Sequence, residues 1–567
     1  MRRVLLALFA IILVCPLCFA GVGSIIPIDD IFYDQIDALA QINGLATPNT
    51  GRPWTVSQAQ LELGRIASHG VKGVLVDHLQ GRLDELKEDS FEVGFTVAPE
   101  FYVHTNGDEF DSESDWVHGF ADRQRFAVID LNASIKGFST YCELTYGWGK
   151  TTWQDTPYAM TLEDYATQEA GSWTGLGADI PVSEGSEVYV VTKSWLYSKT
   201  FAFNFPDMDK IEIEMPRRTY VSYVTDHFSL SFSRDRLSWG SSDIGNFIFS
   251  RSTERQNYIS MKAFAERYGF DYVIFIPEAY YGREANSDLA LHRLFLAHRF
   301  YARPFDRLWI AASENAMYGY ENFDLSTLNP AFILHQNTRS KEVNALAHLE
   351  IQYVPFNGFQ IWTQFSLDQA TAPTENDSQD LAWGLSGGLG YALPMGEGGI
   401  LDLSLECAYT TPSLYRRNNV DFIIWTRYST NHGPEGSGIE YRHYPFFQYL
   451  GFPYGGDCIA TMGKVDYLAL DGMRITLSGQ FVVQGGFGMF DSHSQYNDNS
   501  KEPDRRLKTP SEGGTKSGYV DLVFSLPTSL ALKNFQIDLE LKSSIAVAFK
   551  QSCAPDFQIS LGISSSI

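Results

Sequence analysis

Two periodicities divide the chain. Between Ile28 and about Leu86, apolar residues return every three or four positions. Phe32, Ile36, Leu39 and Ile42 form one stripe, Ala59, Leu63 and Ile66 a second, and Leu75, Leu79, Leu83 and Leu86 a third. That spacing places side chains on one helix face. Asp29 and Asp30 precede the first stripe and Gly44 follows it, as start and stop signals. Thr55 with Gln58 three residues on is a capping-box pattern, and Gly70 can end the second helix. The pattern predicts three short helices, with the turn Thr47 to Pro53 between the first two.

From Phe91 the period becomes two. Phe138, Thr140, Cys142, Leu144, Tyr146 and Trp148 alternate with Ser139, Tyr141, Glu143, Thr145 and Gly147. Leu401, Leu403, Leu405, Cys407 and Tyr409 alternate with Asp402, Ser404, Glu406 and Ala408. Near the end, Phe535, Ile537, Leu539, Leu541, Ile545, Val547 and Phe549 alternate with Gln536, Asp538, Glu540, Lys542 and Ser544. Successive strand residues point to opposite faces, so each segment has one greasy and one polar side. Strands of globular proteins run about five or six residues, whereas membrane strands need roughly nine to eleven. Several of these segments reach the membrane length.

Connections alternate between short and long. Pro355 to Gly358 and Pro394 to Gly399 are tight, while Thr151 to Glu187, Asn431 to Asp457 and Asp491 to Ser517 are long and polar. That asymmetry fits short periplasmic turns and longer external loops. The reading is an all-β transmembrane barrel of roughly sixteen to eighteen antiparallel strands over 91–567. A small helical periplasmic domain, 21–90, precedes it.

The N-terminus supplies the route. Arg2 and Arg3 precede the apolar run Val4 to Val14, and Cys18-Phe19-Ala20 precedes Gly21. This reads as a secretory signal peptide over 1–20. An acylated Cys15 or Cys18 lacks the small residues such a site prefers. The four cysteines that then remain, Cys142, Cys407, Cys458 and Cys553, show no zinc spacing and no disulfide framework. The formal net charge of -25 has the wrong sign for nucleic acid, and aromatic content is 14%. No later run is long and apolar enough for a membrane helix.

Candidate chemistry is sparse. Arg234, Asp235, Arg236 and Trp239 join two guanidiniums, a carboxylate and an indole just before Gly240. Forked donors and a flat indole suit a glycan, and the same residues suit an ion-pair network in a barrel lumen. Arg299, Glu314, Asn329 and Gln336 are further ligand candidates under the same two readings. Arg293, Arg303 and His335 carry the same two readings: some of these residues should line the lumen, and few need touch ligand. His432, Glu435, Glu440 and His443 match no zinc or calcium pattern. The acidic stretch Asp108, Glu109, Asp111, Glu113 and Asp115 reads as a hydrated loop. No nucleophile elbow or phosphate loop occurs, so neither catalysis nor a cofactor is expected.

Several pieces carry a family resemblance. They are RPWTVSQAQ (Arg52 to Gln60), SRDRLSWG (Ser233 to Gly240), GNFIFS (Gly245 to Ser250), the run Arg293 to Gly319 and LSTLNPAFILHQN (Leu325 to Asn337). Together and in this order they resemble the Wzi-type capsule-assembly outer-membrane proteins. The resemblance covers most of the chain in outline, best between about Phe228 and Asp368. It implies a barrel of about eighteen strands with a helical periplasmic bundle. It also implies a non-catalytic surface lectin that organises capsular polysaccharide. The implied partners are surface polysaccharide, outer-membrane lipid and the barrel-assembly machinery, with the chain acting as a monomer. A porin or solute transporter is the alternative reading. The chain departs from many outer-membrane barrels in ending Ser564-Ser565-Ser566-Ile567, without a terminal aromatic.

Overall fold

A computed structural model describes residues 23–87, 90–110, 115–118, 124–146, 201–204, 213–277, 292–320, 328–329, 343–369, 381–416, 420–432, 440–489, 508–531 and 536–567. The signal-peptide reading, Trp148, the Thr151 to Glu187 loop, His335 and Gln336 lie outside them.

Eighteen antiparallel strands close a barrel. The first staff is Ser90–Val97 continued by Glu100–His104, and the last is Asp556–Ser566. The seam joins Gln558 to His104 and Ser566 to Thr96. Tight turns end one side of the barrel. At one, Lys136 and Gly137 both take positive φ, 49° and 79°, which a two-residue hairpin turn needs. No helix among the described residues is long and apolar enough to cross a membrane.

The alternation reports the two faces correctly. Phe91, Leu405, Val520, Ile545 and Phe557 are 76%, 61%, 51%, 54% and 52% exposed on the outside. A soluble protein rarely leaves so continuous an apolar surface uncovered, and a barrel in lipid requires it. Glu406, Asp521 and Ser544 on the alternate positions are buried inside.

Three helices pack at the tight-turn end: α1 (Ile31–Ile42), α2 (Val56–Ser68) and α3 (Val74–Glu85). Asp30 caps α1 by accepting from the Phe32 N–H at 2.8 Å. Thr55 caps α2, accepting from the Gln58 N–H at 3.4 Å. Leu75, Leu79 and Leu83 are buried as their stripe predicts, but Leu86 lies past the end of α3 and is 40% exposed. The chain before and between the helices enters the lumen. Gly51–Arg52 pairs with Ser238–Trp239, and the Lys262 ammonium donates to the Gly51 and Pro53 carbonyls at 2.9 and 2.6 Å.

Two segments fold inward or pair, one of them expected to be a long loop. Residues 236–255 leave the wall after the strand Phe228–Asp235 and fill the lumen with Leu237, Trp239, Ile244, Phe247 and Phe249. The expected long loop Asn431 to Asp457 instead carries half of a hairpin, Ile423–His432 paired with Glu440–Tyr449. Its base adds Ile423, Ile424, Leu450 and Phe452 to the same apolar core.

Candidate functional site

The first candidate cluster sits where the N-terminal segment meets the wall. Asp235 is buried and accepts from Arg218 Nε at 2.7 Å. The Arg236 guanidinium lies 3.3 Å from Asp29 and 3.5 Å from Glu254. Trp239 is fully buried, edge-on to Phe249 at 5.0 Å, with the Arg299 guanidinium 4.7 Å over its ring. Arg299 in turn donates to Asp271 at 2.7 Å, Glu350 at 3.1 Å, Thr50 at 3.0 Å and Asn49 at 2.7 Å. Four candidates therefore meet in one network that seats the N-terminal segment.

The remaining candidates are elsewhere. Arg234 shares the outward face of its strand with Phe232 and Leu230. Glu314 faces outward too, 3.4 Å from His298. Asn329 is exposed beside Leu328, whose carbonyl accepts from the outward Tyr272 hydroxyl at 3.0 Å.

At the opposite, long-loop end lies a cleft of about 650 Å³. Trp116, Tyr454, Tyr519, Gln480, Lys516 and Lys550 line it. The segment carrying Trp116 is drawn inward by the wall. Asp556 accepts from the Thr105 and Asn106 N–H groups at 2.9 and 2.8 Å. The Gln558 side chain accepts from the Val117 N–H at 2.9 Å and donates to the Asp115 carbonyl at 2.8 Å. The Lys550 ammonium is 2.6 Å from Asp115, donates to the Glu109 carbonyl at 2.9 Å and lies 4.7 Å over Phe110. Asp115, expected in a hydrated acidic loop, is thus a buried anchor. Trp116 packs against His104 at 4.7 Å. The Gln480 amide donates to the Tyr454 hydroxyl at 2.9 Å. Burial raises the Tyr454 phenol well above its usual value, so it remains a neutral hydroxyl.

Aromatic surfaces beside amides and an exposed ammonium can bind a hydroxyl-rich ring by stacking and hydrogen bonding. Sequence reasoning missed Trp116, Tyr454 and Tyr519 because they come from three distant stretches. An indole directly after the acidic run, and a lysine ending a membrane strand at 550, were the available signals. Among the described residues, no group of three or more His, Cys, Asp or Glu is placed to hold a metal ion.

Neither a family model nor a curated protein matches the chain. Among solved structures, the chain is similar to Wzi from Escherichia coli, described as an outer-membrane protein involved in group 1 capsule assembly and a carbohydrate-binding β-barrel. The identity is 14%, the TM-score 0.53, and the match covers 96% of this chain and 99% of that one. Looser matches include Pseudomonas aeruginosa OprD, at 8% identity and TM-score 0.38 over 84% of this chain and 95% of that one. Pseudomonas aeruginosa OpdQ stands at 7% and 0.37, covering 84% and 98%. With the geometry above, the likeness to Wzi shows the fold: a large β-barrel of the outer-membrane type.

Proposed function

We propose that the chain is a closed outer-membrane barrel that holds surface polysaccharide at its long-loop mouth without catalysis. The observation that carries this reading is the filled lumen. Side chains from residues 236–255, from the base of the inner hairpin and from the N-terminal segment pack against the wall where a porin keeps water. The cleft at the mouth adds a place for a sugar ring. The similar Escherichia coli barrel is described as carbohydrate-binding, which supports the same class of ligand here.

In this reading the long loops face outward and α1–α3 face the periplasm. Residues 1–20 leave as a signal peptide, and the barrel-assembly machinery inserts the monomer into outer-membrane lipid. Arg236, Trp239 and Arg299 seat the N-terminal segment, and ligand contact moves to Trp116, Tyr519 and Lys516. The test measures capsular glycan bound by purified protein and retained on cells, for Trp116→Ala, Tyr519→Ala and Lys516→Ala singly. Heat-modifiable gel mobility reports folding. Glycan binding should fall while folded yield holds. Unchanged binding in all three moves the site away from the cleft. Large steady conductance of the parent in planar bilayers, with no glycan bound, replaces this reading by the porin.

A further inference from the structure

The cleft at the long-loop mouth is bounded by the acidic segment around Trp116. Between Thr105 and His118 the sequence carries Asp108, Glu109, Asp111, Glu113 and Asp115, with no lysine or arginine. Asp108 and Glu109 are exposed. Asp115 is turned into the cleft wall, where its side chain is 6% exposed and 2.6 Å from the Lys550 ammonium.

Among the described residues that line the cleft, the charged ones are Asp115, Lys516 and Lys550. Asp115 and Lys550 cancel. Lys550 reaches the cleft from an inward position, in phase with the buried Ala546 and Ala548. Its ammonium is committed to the acidic segment, through Asp115, the Glu109 carbonyl at 2.9 Å and the Phe110 ring. Lys516 differs. It is exposed and shares the outward parity of Val520, so water and salt screen its charge. The other polar lining is uncharged, as in Gln480, Gln551, Ser517 and the Tyr454 hydroxyl.

This balance bears on which sugar fits. A hexose brings hydroxyls, which amides and phenols can match. A uronate brings a carboxylate, which gives up water on entering. It meets the inward ammonium already neutralised and the Asp115 carboxylate beside it. A charge that loses water without gaining a partner is strongly disfavoured. The net charge of -25 repels the same ligand at longer range.

We propose that Asp115 is a specificity residue: by holding Lys550 it makes the cleft accept uncharged sugar residues and reject uronates. Such selectivity needs a repulsive element as well as an attractive one. The inference rests on the cleft being the glycan site. Asp115 can be changed without unseating the indole. The Gln558 side chain donates to the Asp115 carbonyl at 2.8 Å and accepts from the Val117 N–H at 2.9 Å, one bond on each side of Trp116. Neither bond uses the Asp115 carboxylate.

The test uses an array of matched oligosaccharides, each printed in a hexose form and in its C6-oxidised uronate form. Full-length parent, Asp115→Asn and Trp116→Ala are compared once heat-modifiable mobility confirms folding. The parent should retain the hexose forms at least about fivefold better than the uronate forms. Asp115→Asn should raise uronate retention about tenfold, since it releases the Lys550 charge, and leave hexose retention within about twofold. A parent that holds both forms equally overturns the proposal. So does an Asp115→Asn protein that keeps the parent's preference. Either failure leaves the cleft as the glycan site as long as Trp116→Ala loses retention. A parent that holds neither form, or a Trp116→Ala protein that holds glycan as the parent does, removes the cleft reading and this inference with it. Where Asp115→Asn fails to fold, ionic strength decides in the parent. Its uronate retention should rise with salt as repulsion is screened. Retention that stays level or falls with salt overturns the proposal.

Discussion

The lower and upper parts of the plug are held by opposite chemistry. Below, near the tight turns, the N-terminal segment is tied to the wall by buried charge. Arg299 joins Asp271 and Glu350, and Glu62 of α2 receives the Arg303 guanidinium at 2.7 and 2.9 Å. Above, residues 237–249 together with Leu414, Tyr415, Val420 and Phe422 to Ile424 pack on Phe275, Phe295, Met317 and Leu346 from the wall in an apolar core. An apolar core tolerates many arrangements of similar volume. Buried ion pairs tolerate few, because each charge must find its own partner. The two parts divide the labour: the upper plug supplies burial, and the lower plug sets how the N-terminal segment is placed.

The largest effect should come from breaking the lower network. Arg299 is fully buried, and Arg299→Ala would strand the Asp271 and Glu350 carboxylates. Removing one partner of a buried pair costs roughly 3–5 kcal/mol. The expected outcome is rapid proteolysis within α1–α3 while the strands stay protected. If the helices remain as protected as in the parent, the lower plug does not depend on its charges.

A second test asks whether the wall separates lipid from lumen as sharply as the plug contrast requires. Leu405 is 61% exposed on the outer face, and the neighbouring Ser404 points inward between Asp402 and Glu406. Leu405→Arg should lower folded yield in membranes by an amount matching roughly 2–4 kcal/mol, the range for arginine near the bilayer midplane. Ser404→Arg should be milder, since its side chain stays on the polar inner face, with Asp402 and Glu406 on either side along the strand and Lys464 opposite on the next. Equal yields, read by heat-modifiable mobility, would mean that the outer apolar face is not a lipid boundary.

The strands were legible because a membrane barrel writes its two faces at every second residue, as at Leu401 to Tyr409. Helix limits were legible from local chemistry at Asp30, Gly44 and Thr55. The filling of the lumen was not. Trp239 and Phe247 in the 236–255 segment have no strand or helix period, and their apolarity is explained only by facing another inward segment, around Phe422 and Phe452, about two hundred residues away. The Arg234 to Trp239 cluster was found as a concentration of charge, yet linear spacing cannot distinguish a ligand site from a plug seat. Arg236 acquires its meaning only beside Asp29 and Glu254. The cleft was invisible for the same reason, since its walls come from residues 116, 454 and 519.

A smaller effect should follow trimming of the upper plug. Ile423 is fully buried in the apolar core. Ile423→Val removes one methylene and should cost roughly 0.5–1.5 kcal/mol. The thermal midpoint should fall slightly, with no change in protease access to α1–α3. Release of the helices by this substitution would show that the two parts of the plug are one cooperative unit.

The smallest effect expected is a pH dependence confined to the lower plug. Burial lifts the Asp37 carboxyl on α1 to about 6, outweighing the adjacent Arg52 guanidinium, with Asp34 adding repulsion and Arg251 opposing it. A carboxyl that holds its proton more tightly when folded contributes stability that is complete below its unfolded value of 3.8. That contribution is lost as pH rises through about 6. Glu62 adds no slope there: burial raises it, but Arg303 and Arg65 outweigh burial and hold it below the usual range, so it stays ionised. Because the Asp37 side chain is 27% exposed, water screens part of the effect. Protease access to α1 should therefore rise modestly between pH 5 and pH 7 in the parent. The difference between parent and Asp37→Asn isolates this group from every other titration. In Asp37→Asn the modest rise should vanish, while the strands and the upper plug show no slope in either protein. A rise of the same size in Asp37→Asn would assign the dependence to another group. A fall with rising pH in the parent would reverse the sign and remove Asp37 as its cause.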